Sequence, residues 1–161
     1  MNSTLSFLAA SFFSAFLAVS ASAALAEDMA AGAILGGTPY AQENYGINVV
    51  KGHALLVSDQ RGHNSQVIVK MSGLKPGTAH IGHIHAGSCV KLFPGTILHN
   101  LEPVVADNAG TGTSKTSIPE GLQGLADCEW WVAIHEAAEN TSPQSPALAL
   151  GPVITKAQER D

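Results

Sequence analysis

Two histidines in the stretch Thr78-Ala79-His80-Ile81-Gly82-His83-Ile84-His85-Ala86 carry the clearest chemical signal in the chain. His83 and His85 are two residues apart. On a β-strand, successive side chains alternate between faces, so positions i and i+2 project from the same side, about 7 Å apart. Two imidazoles so placed can close on one metal ion, and imidazole suits copper, zinc, iron and nickel. His80 lies an odd number of residues from both, which on an unbroken strand turns it to the other face, as a supporting group. The remaining histidines are His53, His63, His99 and His135. His53 and His63 fall in a polar hairpin region and read as surface residues.

A strand must hold this pair, and the surrounding pattern supplies one. Ile47 to Val57 is β-branched and partly alternating. Asp59 to Asn64 is a polar turn, and Gln66 to Leu74 is a second strand, so the two read as a hairpin. Lys75-Pro76-Gly77 supplies the next turn, and Thr78 to Ala86 is the histidine strand. Gly87 to Pro103 reads as a long loop with short extended pieces. Asp107-Asn108-Ala109-Gly110 is a turn, and Thr111 to Ile118 has the Thr/Ser alternation of a half-exposed strand. Glu129 to Glu136 is a strand that contains Trp130, Trp131 and His135; the tandem tryptophans place one ring in the core and one at its rim. Ala147 to Ile154 closes the domain. Glu27 to Asn44, rich in Ala and Gly, reads as a lead-in or a first edge strand. No stretch after residue 26 predicts an amphipathic helix of ten or more residues. Seven or eight short strands separated by turns predict an all-β Greek-key sandwich or barrel.

The N-terminus differs in kind. Met1 to Ala26 contains no charged side chain, Leu5 to Val19 is apolar, and small residues follow up to Ala23 and Ala26. This is the pattern of a secretory signal cleaved after Ala23 or Ala26, although its first residues lack the usual Lys or Arg. The apolar run is short for a membrane span. Residues 1–26 are therefore expected to be a signal peptide and 27–161 one β domain, secreted or periplasmic. The net charge of −5 lies wholly in that domain, and the composition points to neither nucleic acid nor, once the signal is removed, a membrane. In an oxidising compartment Cys89 and Cys128 are expected to pair, closing a loop of about 40 residues worth roughly 4 kcal/mol. The competing reading leaves two free thiols, one of them a soft copper ligand. Asn140-Thr141-Ser142 fits a glycosylation sequon, which has meaning only in a eukaryotic secretory route. Gly77 followed by His83-x-His85 begins a cupin motif, but the glutamate that motif needs is missing.

Taken together, His80-x-x-His83-x-His85 after a Gly-Leu-Lys-Pro-Gly turn, Ala106-Asp107-Asn108-Ala109-Gly110, Val132-Ala133-Ile134-His135-Glu136 and Leu148-Ala149-Leu150-Gly151 resemble the copper/zinc superoxide dismutase family, in its order, from about Ile47 to Ile154. The resemblance implies copper ligands at His83, His85 and His135, with His99 as the fourth, bridging ligand and proton-handling group. It implies a structural role for His80 beneath the copper and an imidazole-orienting role for Glu139. The implied reaction is dismutation of superoxide to oxygen and hydrogen peroxide by copper alternating between Cu(II) and Cu(I), in a protein that admits homodimerisation.

The departures from the family are specific. No histidine lies between His99 and Asp107, so the zinc site of the family is expected to be absent, giving a copper-only relative. Leu150 stands where the family's second disulfide cysteine would be, leaving Cys128 as the partner for Cys89. Ala147 stands where the family has the arginine that guides superoxide; only Lys91 or Lys115 are candidates to replace its charge. The alternatives to a dismutase are a copper-binding protein without catalysis and a metal-free structural sandwich on the same scaffold.

Overall fold

The computed structural model describes residues 29–58, 64–88, 95–122, 129–136 and 145–155. The strands are β1 (Met29–Gly37), β2 (Lys51–Ser58), β3 (Ser65–Ser72), β4 (Ala79–Ala86), β5 (Ile97–Val105), β6 (Gly112–Ile118), β7 (Trp130–His135), β8 (Ala147–Pro152) and β9 (Ile154–Thr155). One short helix, α1 (Pro39–Tyr45), follows β1. Thr38 caps it: its hydroxyl accepts from the Ala41 N–H and donates to the Ala147 carbonyl, which ties the helix to the start of β8.

All strand pairs are antiparallel, in the order β5-β4-β7-β8-β1-β2-β3-β6, with β9 beside β1. The two outer strands approach each other, and the Glu102 N–H on β5 donates to the Thr116 hydroxyl on β6 at 2.8 Å. The sheet is thus a nearly closed barrel, in agreement with the all-β expectation. The alternation that builds it is plain in β3, where Val67, Val69 and Met71 point inward and Gln66 and Lys70 outward. Leu35, Leu56, Ile84, Val104, Val132, Ile134 and Leu148 fill the interior.

The crossing from β3 to β4 is sewn to the turn between β5 and β6. Leu74 N–H donates to Gly110 O and Gly77 N–H to Ala106 O, both at 3.0 Å, while Ala106 N–H returns to Thr78 O at 2.9 Å. Gly110 has φ +73°, and a Cβ there would strike the Leu74 carbonyl, so the turn requires glycine. Asp107 holds its shape by accepting from the Ala109 and Thr111 N–H groups and from the Thr111 hydroxyl. This seam holds the start of β4 in place.

Three local expectations change. Residues 97–105 form a continuous nine-residue strand within the stretch that reads as loop. Pro103 is compatible with it because β5 lies at the end of the strand order. The Ala/Gly-rich lead-in holds β1, which pairs with β2, β8 and β9 and is no edge. Trp130 and Trp131 are both buried, 7% and 3% exposed, because β7 is covered on both faces.

Candidate metal centre

The register of β4 and β7 separates a core face from a histidine face. Ile84 pairs with Val132 and Gly82 with Ile134, and the side chains of Ile84, Val132 and Ile134 belong to the core. His83 pairs with Ala133 and His85 with Trp131 on the opposite face. His135, two residues beyond Ala133, joins them there. Ala133 is fully buried and small, so the ring of His83 has space above it.

The three rings converge. Their centroids lie 5.5 Å apart for His83–His85, 5.1 Å for His83–His135 and 6.3 Å for His85–His135. One ligand nitrogen from each lies within 4.8 Å of the others. All three residues are buried, at 6%, 5% and 4% exposure. His85 and His135 each use one ring nitrogen on a backbone carbonyl: His85 Nδ1 donates to Gly95 O at 3.1 Å and His135 Nδ1 to Ser145 O at 2.7 Å. A carbonyl can only accept, so both Nδ1 atoms carry the proton and both Nε2 atoms are free acceptors. His85 Nε2, His135 Nε2 and His83 Nδ1 are buried without any hydrogen-bond partner. Buried polar atoms are ordinarily satisfied; three orphans that belong to one cluster form a donor set for a cation. The outer carbonyls supply the usual second contact of metal-bound imidazole, which fixes tautomer and ring orientation.

Two of the rings, His83 and His85, are also kept neutral. Burial, with repulsion from His135 and His85, pushes the His83 pKa down to about 4. Burial lowers that of His85 as well, against its hydrogen bond to the Gly95 carbonyl. Neutral imidazole is the metal-binding form.

His80 sits beneath the cluster and is fully buried. Its Nδ1 donates to the His135 carbonyl at 3.0 Å, and its Nε2 lies 2.6 Å from the Thr78 hydroxyl. Register shifts occur between His80 and Gly82 and between Ile84 and His85 against β5, and between Ile134 and His135 against β8. Such irregularities re-aim side chains and collect at functional sites.

His99 is not brought to the three. It pairs with Ile84, so it faces the core side of β4, and its ring lies 6.2 Å from that of Trp130. The cluster of described residues that could hold an ion comprises His83, His85 and His135, without His99. Lys115 lies on β6 opposite Ile68, on the other half of the barrel, and does not replace the missing arginine. Cys89, Cys128, Glu139 and Lys91 lie outside the described residues. The contacts that residue type did not signal are backbone ones, the carbonyls of Gly95, Ser145 and His135; only the Pro94-Gly95 turn hinted at the first. Against known proteins, no family model matches the chain and no curated protein matches it.

Proposed function

We propose that this chain is an exported, copper-binding protein of the superoxide dismutase type, with His83, His85 and His135 as the ligands. The observation that carries the reading is the three buried, partnerless nitrogens, two of them on rings whose other nitrogen already donates to a backbone carbonyl. An all-imidazole set suits copper among the first-row metals, and zinc at a second site is no part of the reading. When bound, copper supplies one-electron redox chemistry for superoxide. The residues do the rest: Gly95 and Ser145 carbonyls hold the imidazoles in the ligating tautomer, and Trp131, buried opposite His85, excludes water from that side.

One observation favours copper binding without dismutation. Ala147, paired with His135, stands where the resemblance calls for an arginine, and a positive charge that steers an anion raises on-rates by about one to three orders of magnitude. Among the described residues no lysine or arginine replaces it on the histidine face.

The exported setting carries a Cys89–Cys128 disulfide. Support comes from the bordering residues: Gly87 N–H donates to Glu129 O at 2.7 Å, which brings the residue two before Cys89 to the residue that follows Cys128.

The test is metal content after loading with copper or zinc, for the natural sequence and for His83→Ala with His135→Ala. One copper per chain that disappears in the variant supports the centre; equal copper in both sinks it. A superoxide assay on the loaded protein then separates the dismutase from the copper binder.

A further inference from the structure

The half of the barrel away from the histidines carries a second pattern. The outward positions of β1, β2, β3 and β6 hold Lys51, Lys70, Lys115 and His53 but no Asp or Glu, in a chain of net charge −5. Lys51 pairs with Ser72 and Lys70 with Thr113, which makes Lys51–Lys70 and Lys70–Lys115 diagonal neighbours. Diagonal neighbours on adjacent strands lie about 7–8 Å apart. The three exposed ammonium groups thus form one line, and among the described residues the ion pair of this chain is elsewhere, at Lys75–Glu136. Like charges along this line add to one local positive potential that attracts an anion.

Beside that line the surface is apolar. Ile34 is 85% exposed and Leu55 41%. Gly32 and Gly36 flank Ile34 on its own face and add no side chain. An open groove of about 640 Å³ runs here, lined by Gly32, Ile34, Leu55, Pro152 and Ile154. A second depression of about 370 Å³, lined by Lys51, Lys70 and Ser72, shares Ile34 and His53 with it. An apolar groove that continues into a basic one matches an amphiphile with an anionic head.

We propose that this face docks on an anionic phospholipid membrane, with phosphates on Lys51, Lys70 and Lys115 and acyl carbon around Ile34 and Leu55. The charge pattern selects this occupant. A second copy applied face to face would bring two such lysine lines into one interface with no acid on the outward positions of these strands to pair them. A soluble polyanion would engage the lysines and leave Ile34 in water. A bilayer interface accepts both, as it does for basic amphipathic surfaces.

The experiment is sedimentation of the full chain with vesicles of phosphatidylcholine alone or in equal parts with phosphatidylglycerol. The apolar run Leu5 to Val19 would act alike on both, so the readout is the difference between them. Binding is expected to favour the anionic vesicles and to weaken with salt. Each of Lys51→Gln, Lys70→Gln and Lys115→Gln is expected to lower that binding about fivefold, and Ile34→Ser about as much. All four side chains are exposed, so the variants keep the fold, which circular dichroism checks. Equal binding to both vesicles, or no loss in the triple lysine variant, overturns the proposal. So does an unchanged Ile34→Ser variant whose binding inorganic polyphosphate abolishes, which marks a site for soluble polyanions.

Discussion

His80 Nδ1 donates to the backbone carbonyl of His135 at 3.0 Å, so a fully buried ring on β4 holds the backbone of a candidate ligand on β7. The bond crosses from one strand to its neighbour just where β7 loses register with β8. It fixes where His135 leaves the strand, and hence where its Nε2 points.

Replacing His80 with Phe keeps a planar ring and removes the donor. The His135 carbonyl then loses its imidazole partner, which costs about 1–3 kcal/mol. Copper affinity is expected to fall about 10- to 100-fold, the usual effect of losing a contact behind a ligand. Urea unfolding of the metal-free protein and a competitive copper titration read the two effects separately. An unchanged copper affinity with lowered stability would make His80 purely structural.

Gly87 lies against the Trp131 indole. A Cβ at residue 87 would sit 2.7 Å from Trp131 Cδ1 and 3.2 Å from Nε1. Gly87→Val is expected to displace the indole, break its 2.8 Å bond from Nε1 to Ser88 O, and destabilise by about 1–3 kcal/mol. Because Trp131 pairs with His85, copper affinity should fall as well. The urea midpoint and the tryptophan emission maximum check the displacement; an unshifted emission spectrum argues against it.

Ile84 lies between His83 and His85 in sequence and on the other side of the strand in space. It is fully buried among core residues. Ile84→Ala is expected to cost about 2–5 kcal/mol by leaving a cavity, while the histidine face keeps its three ring nitrogens. The variant should therefore unfold at lower urea yet still bind one copper per folded chain. Loss of copper in protein that remains folded would show that the two faces are coupled.

The strands that carry strong local signals are legible in the residues, and the ones that depend on partners are not. β4 and β7 announce themselves by β-branched and aromatic residues and by the His-x-His spacing, and the pairing of their faces follows from period two. β5 is hidden because Pro94, Gly95 and Pro103 break its pattern, and only its pairing with β4 makes it a strand. β1 is hidden because its inward residues include Ala31 and Ala33, which bury as well as larger side chains do here. In the site, His83, His85 and His135 come together because strand alternation and one neighbouring strand are enough to place them. His99 does not, because its position depends on the register of β5 across two irregularities, which spacing along the chain does not reveal. The lysine diagonal escapes a count of charges for the same reason: it is a property of three strands in register.

Acid should act on the empty centre before it acts on the rest of the fold. His83 has its pKa lowered from 6.5 to about 4, and that of His85 is lowered too, chiefly by burial. Between these values the unfolded chain takes up protons that the folded chain refuses, so stability rises with pH across that window and falls on acidification. The contribution is complete above the ordinary histidine pKa of 6.5 and is lost as pH drops through about 4. The urea midpoint of the metal-free protein is therefore expected to decline steadily from about pH 7 to about pH 4, and His83→Gln should flatten the decline. Bound copper competes with the same protons, so loaded protein should hold its midpoint to lower pH and then release metal as it unfolds. A metal-free midpoint that stays level across the window, or a His83→Gln profile that is as steep as the original, would falsify the neutral, desolvated state assigned to this ring.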